Sequence, residues 1–220
     1  MIGKVLSKKK FYISVFIIIT TVVFGIFIRK KSGLIFEPGI MKFAQFITDN
    51  FLFNIFKLFT LLGNFSTYIF ILAICLAYSK KIGKNSFFTT TFLSCLIGFL
   101  IMNLYKYSFL RIRPQEFFKI TQGGYSYVSG HSLVSTSFYF TLSYLLISIK
   151  NEKFIYLRII PFVIAFSRLV VGVHWPTDVI FGMLLGYVCY LITIYVFENH
   201  IFKMKNLNYE LWFVVVHFLL

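Results

Sequence analysis

A chain of 220 residues that is 59% hydrophobic and 21% aromatic carries more apolar side chain than a soluble domain of its size can bury. That excludes a soluble enzyme or binding domain and leaves an all-α integral membrane bundle, expected as a single domain over 1–220. The net charge of +15, from 22 Lys and Arg against seven acids, lies in short clusters between apolar runs, which fits membrane flanks facing anionic headgroups and argues against a nucleic-acid surface.

Six runs are long enough to cross a hydrocarbon core of about 30 Å, at 11–28, 58–78, 87–105, 132–149, 154–171 and 179–197, so six transmembrane helices are expected. The first follows Lys8, Lys9 and Lys10 but is long for a secretory signal. No small-residue cleavage site precedes Arg29, so the run reads as a retained helix. The stretch 29–57, with Pro38 and Asp49 among scattered Phe, reads as an outer connection holding an interfacial amphipathic helix. Cys75, Cys95 and Cys189 fall inside the runs and read as packing residues.

The third run exits through Lys106, Arg111 and Arg113-Pro114. Gly123, Gly124, Tyr125 and Tyr127 then form either a flap or a plain connector. Ser129-Gly130-His131 opens the fourth run, Ser167-Arg168 closes the fifth, and His174, Pro176 and Asp178 introduce the sixth. Gly182 and Gly186 make a small-xxx-small pair, suited to packing within the bundle or to a homodimer. In the tail, 198–220, the final run Leu211 to Leu220 would span only about 15 Å as helix, so it reads as surface-lying or packed.

Lys and Arg in the flanks favour both termini inside the cell, with twelve basic residues on the inner side and ten on the outer. Alternating spans then bring the three polar clusters to the same outer face, a coincidence that hydropathy alone does not require.

Each cluster has a chemical reading beside a structural one. His174 and Asp178 are four apart and share one face of a helix. The carboxylate can fix the imidazole tautomer, or it can simply cap the helix. Arg168 offers a planar fork for phosphate oxygens, or snorkels at the interface. At Ser129-Gly130-His131 the backbone can approach an anion at a helix N-terminus, Ser129 can be the N-cap, and His131 can donate a proton. Lys106 and Arg113 lie two helical turns apart and can point the same way, although Lys106 can also snorkel; Pro114 would end the helix at Arg113. Carboxylates are too few for a magnesium or two-metal centre, and three good zinc ligands are wanting. No metal or cofactor is therefore expected.

Lys106-x6-Arg113-Pro114, Ser129-Gly130-His131 and Ser167-Arg168-x5-His174-x3-Asp178 together resemble the type 2 phosphatidic acid phosphatase family, in whose superfamily vanadium haloperoxidases and glucose-6-phosphatase also stand. The resemblance covers about 58–197, and one position departs from the family pattern, where Val128 replaces the usual Pro. It implies that His174 attacks phosphorus and forms a phosphohistidine while Asp178 orients its ring. It implies also that His131 protonates the leaving group, and that Lys106, Arg113, Arg168, Ser129 and Gly130 hold the phosphate oxygens. The implied substrate is a membrane lipid phosphate or diphosphate met at the outer face of the plasma membrane, such as undecaprenyl diphosphate or phosphatidylglycerol phosphate, with phosphatidic acid or lipid A phosphates as alternatives. Two rivals share these residues: a haloperoxidase, whose relatives are soluble, and a non-catalytic carrier of anionic lipids, which would not need two histidines.

Overall fold

The computed structural model describes residues 7–46, 48, 50–149 and 151–204. The expected tail lies mostly outside these residues. Eight α-helices appear among them: α1 (Lys8–Phe27), α2 (Glu37–Phe46), α3 (Asn50–Leu61), α4 (Phe65–Lys81), α5 (Asn85–Phe109), α6 (Gly130–Ile149), α7 (Ile160–Val170) and α8 (Pro176–Met204). No strand occurs among the described residues.

Four helices, α1, α5, α6 and α8, are long and apolar enough to cross a membrane. A fifth crossing arises if Phe51–Leu61 and Phe65–Lys81 count as one span, bent by 53°. Two of the six expected spans are not single helices among the described residues. The run 58–78 is not one helix, because Leu62, Gly63 and Asn64 turn the chain and Asn64 starts α4 afresh. The run 154–171 is a 3-10 segment, Glu152–Ile159, followed by the eleven-residue α7. Pro161, lacking an amide donor, sits in the first turn of α7 and marks where the α-helix begins. Eleven helical residues reach only about 16 Å.

The centre of the bundle is α6, packed against α8, α5 and α7, while α1 stays mostly exposed at the edge. Gly182 and Gly186 explain how closely α8 approaches. A Cβ at Gly182 would lie 2.8 Å from the Ser129 carbonyl oxygen, and one at Gly186 would lie 2.4 Å from that of Leu133. The small-residue pair therefore packs within the bundle.

Helix ends from four spans meet at one end of the molecule. The Lys30 amide donates to the Phe109 carbonyl and the Ile112 amide to that of Lys31, joining the exits of α1 and α5. The Ser129 amide donates to the Asp178 carbonyl, joining the starts of α6 and α8. Tyr127, fully buried, donates its hydroxyl to the Thr21 carbonyl of α1 at 2.8 Å. These ties hold the loops bearing the three polar clusters against one another.

Candidate active site

Helix α5 ends at Phe109, four residues before Arg113, because Leu110 takes a left-handed conformation (φ 55°) as its C-cap. Lys106 stays on the last turn while Arg113 enters the following loop. Both side chains nevertheless reach one cavity of about 650 Å³, which is also lined by Gly130, His131, Arg168 and His174. The three clusters thus converge, and the two histidines face a common space.

His174 Nε2 lies 3.2 Å from Arg113 Nη1, which also donates to the Val173 carbonyl at 2.6 Å. A guanidinium can only donate, so Nε2 carries the lone pair and Nδ1 the proton. That tautomer leaves the lone pair on the nitrogen beside Arg113, and the ring lines the cavity. Burial, then the positive charges of Arg113, Lys106 and Arg168 and the neighbouring His131, hold His174 well below the ordinary imidazole range.

Asp178 lies behind His174, fully buried, and its contact differs from the expected direct pair. His174 Nδ1 is 3.6 Å from Asp178 Oδ2, too long for a hydrogen bond. Ser126 stands between them: its hydroxyl donates to Asp178 Oδ2 and lies 3.5 Å from His174 Nδ1. The Trp175 amide also donates to Oδ2, at 2.9 Å. The turn placing His174 after Arg168 depends on Gly172, whose φ is +78° and whose Cβ would lie 1.8 Å from the Phe117 carbonyl oxygen. No other residue fits there.

His131 Nε2 bonds Asn64 Oδ1 at 2.9 Å. Asn64 occupies the N-cap position of α4 yet makes no side-chain cap bond, so its amide is free to fix the His131 ring. Arg168 donates to Thr60 Oγ1 at 2.7 Å and to Gln122 Oε1 at 3.1 Å, while its Nε is buried without a partner. Lys106 Nζ donates to the Tyr125 carbonyl at 2.6 Å, and Arg113 Nε to the Gly124 carbonyl at 2.9 Å. All three cations therefore bond oxygens of the 122–125 loop. That loop spans the cations, whereas Tyr127 is an anchor and not part of a flap.

Two of the sequence candidates point elsewhere. Ser129 is fully buried, and its hydroxyl accepts from Ser132 Oγ at 3.0 Å at the start of α6, outside the cavity lining. Arg111, read from sequence as a further cation, turns away from the cavity and pairs with Asp178 and Glu37. Asn64, Thr60, Gln122, Ser126 and Glu37 were not singled out. The Gly63-Asn64 break and the isolation of Glu37, the first acid in the chain, were the only sequence signals for two of them.

Beyond the charged end, the cavity continues as an apolar slot between α4 and α5, lined by Phe65, Ile69, Leu72, Phe92, Leu96 and Phe99. Cys95 opens on this slot. Among the described residues no group of three or more His, Cys, Asp or Glu is placed to hold a metal ion.

Residues 87–202 match the PAP2 superfamily. Among curated proteins, an undecaprenyl-diphosphatase of Sulfolobus acidocaldarius is 34% identical over 114 residues, which is 49% of this chain and 52% of that protein. Phosphatidylglycerophosphatase B of Bacillus subtilis is 29% identical over 89 residues, 37% of this chain and 44% of that protein. The chain thus spans about half the length of the curated relatives it matches. Among solved structures, the transmembrane PAP2-type phosphatidylglycerolphosphate phosphatase of B. subtilis superposes with a TM-score of 0.75 at 22% identity, covering 90% of this chain and 100% of that one. LpxE of Aquifex aeolicus superposes with a TM-score of 0.59 at 19% identity, over 74% and 96%. The two likenesses establish the fold.

Proposed function

The chain belongs to the PAP2 superfamily, and we propose that it is a metal-independent phosphatase of membrane lipid phosphates or diphosphates. The observation that carries this reading is one cavity holding both histidines and three cations, continuous with an apolar slot between α4 and α5. Charge at one end and a hydrocarbon-lined slot at the other suit an anionic headgroup on a long apolar tail. The names of the relatives support undecaprenyl diphosphate or phosphatidylglycerol phosphate as the substrate.

In this reading the phosphoryl group sits among Lys106, Arg113, Arg168 and the Gly130 amide at the N-terminus of α6. Their positive charge balances the equatorial oxygens of the transition state. His174 Nε2 attacks phosphorus in line, a P–N bond forms, and the P–O bond to the lipid breaks. His131, protonated on both ring nitrogens, gives its Nδ1 proton to the departing oxygen while its Nε2–H stays bonded to Asn64 Oδ1. Water activated by His131 then attacks the phosphohistidine, and inorganic phosphate leaves. Asp178 and Ser126 stabilise the positive charge on the His174 ring while the P–N bond exists. No cofactor is invoked. Ser129 supports the start of α6 and contributes at most through its backbone.

Positive charge in the flanks supports both termini on the cytoplasmic side and the cavity at the exterior leaflet. The test is a panel of undecaprenyl diphosphate, phosphatidylglycerol phosphate and phosphatidic acid presented to purified protein in detergent with EDTA present. Phosphate release is expected from at least one lipid, abolished by His174→Ala while lipid binding survives. Unchanged release in that variant would remove the catalytic reading in favour of a lipid carrier.

A further inference from the structure

Glu37 begins α2 in the stretch expected to lie at the interface, yet it is fully buried. Its carboxylate accepts four hydrogen bonds. Oε2 takes the Leu34 amide at 2.6 Å and Arg111 Nη2 at 2.5 Å. Oε1 takes the Thr177 amide at 3.2 Å and the Thr177 hydroxyl at 2.5 Å. Arg111, equally buried, turns its other terminal nitrogen to Asp178 Oδ1 at 2.6 Å and to Thr177 Oγ1 at 2.8 Å. Its guanidinium lies over the Trp175 ring, 5.8 Å from the centroid. The Arg111 carbonyl accepts the Ser126 amide at 2.9 Å, and Ser126 in turn bonds Asp178 Oδ2. Arg111 therefore supports both oxygens of Asp178, one directly and one through Ser126.

A buried ion triplet is a poor way to gain stability, because desolvation offsets most of the attraction, and well-packed apolar residues often serve as well. Its charge arithmetic is more informative. Arg111 alone beside Asp178 would cancel the negative charge that the His174 ring needs behind it. With Glu37 on the far side the triplet carries one net negative charge, and Asp178 remains an effective carboxylate.

We propose that Glu37 and Arg111 are positioning residues that aim Asp178 at His174 and preserve its negative charge. The assignment rests on the phosphatase reading, in which Asp178 serves His174. It makes the α1–α2 connection part of the active-site framework, so a segment more than 130 residues distant in sequence from His174 governs how basic the nucleophile is.

The test uses the full chain in detergent, as wild type, Glu37→Gln, Glu37→Asp, Arg111→Met and the double variant E37Q/R111M. One assay follows phosphate release against pH from undecaprenyl diphosphate, phosphatidylglycerol phosphate and phosphatidic acid, and a second follows orthovanadate binding by calorimetry. The His174 ring faces Arg113, Lys106, Arg168, His131 and Asp178. Loss of Glu37's charge leaves Arg111 unbalanced beside them and makes the imidazolium harder to form. Glu37→Gln is expected to lower kcat by at least about tenfold, the usual scale for such supporting partners. KM should stay within about threefold, the acid limb of kcat/KM should move to lower pH, and vanadate should bind about tenfold more weakly. Glu37→Asp should return the limb to its wild-type position. The double variant should outperform Arg111→Met by about tenfold, because the charge of Glu37 is no longer left buried beside Asp178 without Arg111 between them. Unchanged kcat, limb and vanadate affinity in Glu37→Gln would overturn the proposal, as would losses that simply multiply in the double variant. If the wild type released no phosphate from any of the three lipids while Glu37→Gln still weakened vanadate, the phosphatase reading would fail and the ionic support of Asp178 would stand.

Discussion

In the proposed mechanism His174 attacks as a neutral imidazole, and the surroundings of its ring set the pH range in which it can. Burial first, then Arg113, Lys106, Arg168 and His131, depress its protonation well below the ordinary value of 6.5. A nucleophile that resists protonation stays active into acid. The acid limb of kcat/KM should therefore fall below pH 6.5, measured on a soluble phosphomonoester to avoid lipid packing effects. The sign for stability is opposite. Below about pH 6.5 the unfolded chain binds a proton on this imidazole and the folded one does not. Folding free energy is thus lost as pH falls from 6.5 toward the depressed folded value. At this scale the meeting of Lys106, Arg113, His131, Arg168 and His174 at one cavity was legible, because each is a cation or imidazole at the edge of an apolar run, with Asp178 four residues beyond His174. Asn64, Ser126 and Gln122 were not, because an uncharged polar residue in a turn has many ordinary explanations. Only the folded geometry distinguishes Asn64 bonding His131 from Asn64 capping α4.

At the scale of elements, α1, α5 and α6 begin and end within four residues of the apolar runs that announced them. The expectation failed where polar logic interrupts a hydrophobic run. Gly63-Asn64 bends α3 against α4 and brings Asn64 under His131, while Pro161 and its 3-10 approach shorten α7. Hydropathy averages over such breaks, so a window long enough to find a span is too long to find its kink. The turn between α7 and α8 is closely packed at Gly172. Gly172→Ala should cost at least about 1 kcal/mol from its left-handed backbone alone. The overlap with Phe117 adds to that and displaces Arg168 and His174 together. A lowered melting temperature in detergent, with kcat reduced and KM raised, is the expected outcome. Wild-type stability and turnover would show that the turn can rearrange.

For the whole molecule, the bundle joins a polar end to an apolar slot between α4 and α5. Phe65, Ile69 and Leu72 on one wall and Phe92, Leu96 and Phe99 on the other give the slot its apolar character. In the proposed function, a lipid substrate would keep its tail in this apolar slot while its headgroup reaches the cations. Leu72→Trp should fill the slot without touching the charged end. KM for a long-chain lipid phosphate should then rise about tenfold or more, while a short water-soluble phosphomonoester is hydrolysed at nearly the wild-type rate. Equal effects on both substrates would place the tail elsewhere. This architecture was only partly legible in advance. The common face of the three clusters followed from alternating spans, whereas the slot depends on how α4 tilts after its break.

In the proposed mechanism His174 becomes covalently phosphorylated, and rapid quench of the purified protein with a lipid carrying ³²P in its terminal phosphate reads that bond itself. The expected result is label on the protein within a single turnover, stable to alkali and lost in acid as a phosphoramidate should be, mapping to His174 and absent from His174→Ala. Turnover proceeding at full rate in His174→Ala, or label recovered on any other side chain, would contradict the account.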